Sequence, residues 1–152
     1  MLGTNELSIL SGKRVLVVED EMLVALLIEA FLDDWGCATV GPYSSVAQAL
    51  EAAENTEFDL AILDVNLGDE KSYPIAEVLD SRGTPFLFLS GYGKQAIPSA
   101  HPTWVVCAKP FTGEGLAAML WPCSRRPASG ARCVCPCLEG PSAFAEKACP
   151  AG

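Results

Sequence analysis

A chain of 152 residues with 50% hydrophobic side chains is long enough for one domain with a packed core and too apolar to be disordered. Its formal net charge of −9 argues against a nucleic-acid surface, which needs basic stripes. No apolar run reaches the roughly 20 residues that span a bilayer. Met1 to Gly12 also lacks the basic head and long apolar stretch of a signal peptide, so the cytoplasm is the expected compartment.

The chain alternates strand and helix signals. Lys13 to Glu19 predicts a first strand, built on Val15-Leu-Val-Val18. Met22, Leu23, Leu26, Leu27, Ala30 and Phe31 then recur at helical spacing, with Gly36 placed as a C-terminal stop. Ala38 to Val40 predicts a weak second strand halted by Gly41-Pro42. Ser44 or Ser45 caps a second helix through about Asn55, with Val46, Ala49, Leu50 and Ala53 facing inward. Phe58 to Asp64 predicts the third strand, Asn66 to Asp69 a loop, and Tyr73 to Ser81 a third helix stopped by Gly83. Pro85 to Ser90 predicts a fourth strand. Gly91 to Pro102 reads as a loop with a short helix around Lys94 to Ile97, limited by Pro98. Thr103 to Ala108 predicts the fifth strand, and Thr112 caps a last helix that Pro122 ends after Trp121.

The pattern implies five βα units with a parallel sheet covered on both faces. It stops at residue 122. Six basic and 17 acidic residues precede that point; four basic and two acidic follow it. Five of the seven cysteines, Cys123, Cys133, Cys135, Cys137 and Cys149, also lie in this end. Residues 10–121 are therefore read as one domain and 122–152 as an irregular Cys/Pro-rich tail, expected to be disordered. The spacing of Cys133-Val-Cys-Pro-Cys137 is not that of a zinc pair. Cys37 and Cys107 sit in the apolar body, where a thiol behaves as a small hydrophobe.

Two apolar runs end in acids: Val15–Val18 in Glu19-Asp20-Glu21, and the run from Phe58 in Asp64. In open parallel sheets, sites form at the carboxyl ends of the strands where strand order reverses. Carboxylates gathered there repel one another unless a cation lies among them, and a hard divalent ion such as Mg²⁺ suits all-oxygen ligands. Glu21 is read as a charge favourable to the first helical turn.

Glu19-Asp20 after strand one, Asp64 after strand three, Ser90 after strand four and Lys109-Pro110 after strand five occur in order. On these residues, 13–121 resemble the receiver domain of bacterial two-component response regulators. The resemblance implies a flavodoxin-like doubly wound (βα)5 fold with strand order 2-1-3-4-5. It makes Asp64 the phosphoacceptor and Asp20 a direct Mg²⁺ ligand. Glu19 helps through water, and Asp64 and the backbone carbonyl of Asn66 complete the protein ligands. Ser90 and Lys109 become the phosphate-binding and switch residues, with Lys109 able to pair with Asp64 before phosphorylation and Pro110 a candidate for a cis peptide.

Pro85-Phe-Leu-Phe-Leu-Ser-Gly-Tyr92 is further similar to receivers carrying a Phe-Ala-Thr-Gly-hydrophobic-Tyr ("FAT GUY") motif, which often occur as single domains. Leu89 replaces the Ala and Ser90 the Thr. Val106 stands three residues before Lys109, where many receivers carry a switch aromatic. Tyr92 is a candidate substitute for it, or an amphipathic loop anchor.

The implied phosphodonor is a histidine kinase or histidine phosphotransfer protein. The implied output is contact with a downstream protein, or a homodimer, without direct DNA or membrane binding. Phosphotransfer and dephosphorylation would be promoted by the receiver itself, which is not otherwise an enzyme. An Asp-nucleophile phosphohydrolase is the alternative, although the second Asp that such enzymes place two residues on is Asn66 here. A receiver-like interaction module that no longer signals is the third reading. His101 has no partner at metal or triad spacing and reads as a loop residue.

Overall fold

The computed structural model describes residues 10–124, with side chains through residue 120. The chain forms β1 (Arg14–Val18), α1 (Met22–Asp34), β2 (Ala38–Tyr43), α2 (Val46–Asn55) and β3 (Leu60–Asp64). A hairpin of β4 (Asn66–Leu67) and β5 (Glu70–Lys71) follows, then α3 (Tyr73–Ser81), β6 (Phe86–Ser90), a 3-10 turn (Gly93–Ala96), β7 (Val106–Ala108) and α4 (Gly113–Ser124). The five long strands make one parallel sheet in the order β2-β1-β3-β6-β7. This is the doubly wound order expected from the sequence.

Strand side chains alternate between faces, so each strand feeds two cores. Leu16, Val18, Ala61, Leu63, Phe86 and Phe88 pack with α2 and α3 through Val46, Ala49, Ile75 and Leu79. Val15, Val17, Ile62, Leu87 and Leu89 pack with α1 and α4 through Ile28, Leu32, Leu116 and Leu120. Burial on both faces explains why β3 and β6 are uninterrupted apolar runs with every residue buried. Those runs deliver Asp64 and Ser90 to the same end of neighbouring strands, with Asp64 level with Leu89.

Local signals place several element ends. The Ser45 hydroxyl accepts from the Gln48 amide, so Ser45 rather than Ser44 caps α2. The Thr112 hydroxyl accepts from the Gly115 amide at the start of α4.

Other boundaries differ from expectation. β2 continues through Gly41-Pro42 to Tyr43, because an irregularity opposite β1 lets the strand resume pairing at Val18. β7 begins at Val106, not Thr103; Thr103 to Val105 do not form ladder positions of their own. The predicted loop at Asn66 to Asp69 is instead part of the β4–β5 hairpin, since Gly68 adopts φ +62° and closes a two-residue turn with Asp69. α4 runs two residues past Pro122. Pro122 falls in the last turn, so the amide donor it lacks lies near the end of the helix and not in its middle. The expected tail and its five cysteines, apart from the helical backbone to Ser124, lie outside the described residues.

The phase of α1 also differs. Ala25, Ile28 and Leu32 are its buried residues, whereas Met22, Leu23, Leu26 and Leu27 are exposed. The helix is apolar nearly all round, so spacing could not choose which face meets the sheet. Ile28→Ala should therefore lower the unfolding free energy by about 2–5 kcal/mol. Leu23→Ala should change it by no more than about 0.5 kcal/mol. Urea titration of the two variants checks the assignment.

Candidate functional site

The carboxyl ends of β1, β3, β6 and β7 bring the predicted polar residues together. Glu19 and Asp64 are only 3% and 5% exposed, while Asp20 lies at the surface beside them. Oxygens from these three carboxylates lie within 4.8 Å of one another. The Lys109 ammonium enters from the end of β7. It stands 3.0 Å from Glu19 Oε2 and 3.3 Å from Asp64 Oδ2. Lys109–Pro110 is a cis peptide.

Backbone amides occupy part of the oxygen set. The Glu21 amide donates to Glu19 Oε1 at 3.1 Å, and the Asn66 amide to Asp64 Oδ1 at 3.4 Å. The Gly68 amide, at the hairpin tip, donates to Asp20 Oδ2 at 2.9 Å. Both Glu19 oxygens are therefore engaged, but Asp20 keeps one oxygen turned to no donor among the described residues. The Lys71 ammonium donates to the Asn66 side-chain oxygen across the hairpin. This strap was not predicted; Leu67-Gly68-Asp69-Glu70, with a glycine in a two-residue turn, is the signal that marks it.

Ser90 is 1% exposed at the end of β6. Its hydroxyl oxygen accepts from the Tyr92 amide at 3.0 Å, and its carbonyl accepts from the Lys109 amide at 2.9 Å. Ser90 thus joins the lysine strand to the following loop. Tyr92 itself is 72% exposed, with its ring outside both cores. His101 is not isolated: its ring stacks on Trp104 with centroids 3.8 Å apart. Cys37 and Cys107 are buried, and desolvation pushes both thiols up, which disfavours the reactive thiolate. No described helix is long and apolar enough to cross a membrane.

Residues 15–119 match the family described as response regulator receiver domain. The chain belongs to that family. SdrG from Sphingomonas melonis Fr1, solved in solution, is 43% identical with a TM-score of 0.65, over 72% of this chain and 93% of that one. The BeF3-activated conformation of SdrG from Pseudomonas melonis Fr1 is 42% identical with a TM-score of 0.62, over 72% of this chain and 94% of that one. Regulatory protein VanR of Enterococcus faecium is 34% identical over 79 residues, which is 51% of this chain and 34% of VanR. The chain spans less than half the length of the curated relatives it matches. The receiver is thus a phosphoacceptor module of two-component signalling, and receivers of this family bind Mg²⁺ and contact histidine kinases and downstream proteins.

The electrostatics of this receiver centre on Glu19. Burial, then its hydrogen bond with Asp64, pushes the Glu19 carboxyl up from 4.5 to about 8, against the pull of the Glu21 amide and Lys109. Burial lowers the affinity of Lys109 for its proton, but the two carboxylates outweigh it and raise the ammonium above its ordinary 10.5.

A carboxyl with a raised folded pKa binds more protons folded than unfolded. Its contribution is fully present below about pH 4.5 and is lost as pH rises through about 8. In metal-free buffer the unfolding free energy should fall between pH 5.5 and 8 by at most about 1.4 kcal/mol per pH unit. Glu19→Gln should flatten that slope, and a divalent cation should restore stability at the alkaline end. Thermal melts across this range, with and without chelator, measure it.

Proposed function

We propose that this receiver takes a phosphoryl group on Asp64 and signals by protein contact. The observation that carries the reading is the Lys109 ammonium, 3.0 and 3.3 Å from two buried carboxylates at adjacent strand ends. Three carboxylates converging within 4.8 Å fit a hard divalent ion. Asp20, with its unengaged oxygen, Asp64 and the Asn66 carbonyl would hold Mg²⁺, and Glu19 would reach it through water. Mg²⁺ would neutralise charge on the transferring phosphoryl group.

A carboxylate oxygen of Asp64 attacks the phosphorus of a phosphohistidine. The phosphorus–nitrogen bond breaks as the new phosphorus–oxygen bond forms, and the histidine nitrogen leaves to take up a proton. Lys109 and the Ser90 hydroxyl then donate to phosphoryl oxygens. Because Asp64 Oδ1 and Oδ2 already face the Asn66 amide and Lys109, the nucleophile is held in place before the donor arrives.

The donor, a histidine kinase or histidine phosphotransfer protein, needs a docking face beside this site. Met22, Leu23, Leu26 and Leu27 expose an apolar face on α1 that begins two residues after Asp20. The loop after Ser90, with β7 and α4, is the reading face for a downstream protein or a second copy of the chain. Tyr92 serves there as an exposed contact residue. The cytoplasm is the expected compartment for such an exchange.

Incubation with Mg²⁺ and acetyl phosphate should add one phosphate, read by intact mass. Asp64→Asn and EDTA should each abolish the gain, and persistent labelling of the Asn variant would sink the site assignment. The unit from residue 10 to the end of α4 is sufficient for folding and labelling in this reading. A chain shortened after Ser124 should melt cooperatively and label at the rate of the full chain. Loss of either property would make the rest of the chain structural.

A further inference from the structure

One stripe of α3 fastens the whole connection between β6 and β7. Tyr73, Glu77 and Asp80 lie at positions i, i+4 and i+7, which share a helix face. The Tyr73 hydroxyl donates to the Ala96 carbonyl at the end of the 3-10 turn. Glu77 Oε1 is 3.6 Å from His101 Nε2. The Trp104 indole nitrogen is 3.5 Å from Asp80 Oδ2. The Tyr73 ring also meets Phe88 edge-on at 5.9 Å and Trp104 at 6.3 Å.

These contacts lie at unequal distances from the chemistry. Tyr73 opens α3 directly after the hairpin that follows Asp64, and the Ser72 amide before it donates to the Val65 carbonyl. Ala96 closes the segment that begins at Ser90. Between them the segment has little else: Tyr92 is exposed, Gly91 and Gly93 flank it, and its other near anchor is the Tyr92 amide on the Ser90 hydroxyl. Ala96 and Ile97 are partly buried against the α2–α3 core. The segment is therefore held at one end by Ser90 and at the other by Tyr73. Burial pushes the Tyr73 phenol up, so it remains a donor at neutral pH.

We infer that Tyr73 is a positioning residue for the signalling segment: its hydroxyl, on the Ala96 carbonyl, holds residues 91–97 in the resting arrangement that the Ser90 hydroxyl must leave. The inference rests on phosphorylation at Asp64. When the Ser90 hydroxyl turns to a phosphoryl oxygen, the Tyr92 amide loses its acceptor. The Tyr73 bond then ties the segment at the far end beside the packing of Ala96 and Ile97, and it opposes displacement of the segment. Removing that one hydroxyl shifts the balance toward the displaced arrangement while the aromatic packing stays. One neutral hydrogen bond changes such an equilibrium roughly twofold to tenfold.

The test compares the full chain with Tyr73→Phe, with Mg²⁺ present, in a beryllofluoride titration followed by amide chemical shifts. In the wild-type chain, beryllofluoride should displace amides from Gly91 to Ile97. In Tyr73→Phe without beryllofluoride, the same amides should already lie part-way along that displacement, and the titration midpoint should fall roughly twofold to tenfold. A wild-type response with unchanged segment shifts and midpoint in the variant overturns the inference alone, even if the variant melts at a lower temperature. A wild-type chain with no response overturns both the inference and the phosphoacceptor reading.

Discussion

Two carboxylates buried side by side need a cation, and Lys109 supplies it. Glu19 and Asp64 both face this ammonium at about 3 Å. Lys109 only partly offsets the burial of these acids, since the Glu19 carboxyl is still raised to about 8. The arrangement has a fixed geometric origin. Glu19 follows β1, Asp64 ends β3 and Lys109 follows β7, while β6 supplies the spacing between the last two. The parallel order thus sets one positive charge across two acidic groups drawn from distant parts of the chain. Lys109 is also placed by backbone, since its amide donates to the Ser90 carbonyl.

The same constraint makes the site ready for cation binding and for an added phosphoryl group. Either one changes the charge that Lys109 must balance. A divalent ion offsets the carboxylates and favours ionised Glu19; a phosphoryl group adds negative charge and new acceptors close to the ammonium and to Ser90. Ser90 joins the site to the backbone of the next loop and of the lysine strand. Its hydroxyl already supports the next loop through the Tyr92 amide, so turning it elsewhere has an immediate mechanical consequence.

Beyond Ser90, the short helix expected around Lys94 to Ile97 is a single 3-10 turn, Gly93–Ala96. The connection relies instead on aromatic packing and on α3. Trp104 joins Phe86, Phe88, Tyr73 and His101 in one cluster, with Trp104 to Phe88 centroids at 5.4 Å. Val106 occupies the ladder position opposite Phe88 and brings no ring to the surface. Gly91 and Gly93 flank the exposed Tyr92, while the aromatic cluster packs against the strands below it.

The sequence by itself determined five strands in a parallel sheet and the acids and lysine at their ends, while the order of the strands followed from the family resemblance. Strands buried on both faces must be continuous apolar runs, and Val15–Val18, Leu60–Leu63 and Phe86–Leu89 are such runs with polar residues at one end. It left open whatever depends on neighbours distant in the chain. An all-round apolar α1 could not reveal that Ile28 faces the sheet and Leu23 faces solvent, because only the packed sheet breaks that degeneracy. The Gly68 amide on Asp20 and the Tyr73 hydroxyl on the Ala96 carbonyl join segments far apart in the chain, so neither contact could be read in advance. The carboxylates were legible, but the raised Glu19 carboxyl was not. Residue type gives an acid its ordinary affinity for a proton; burial beside Asp64 and Lys109, set by the assembled strand ends, gives Glu19 a different one.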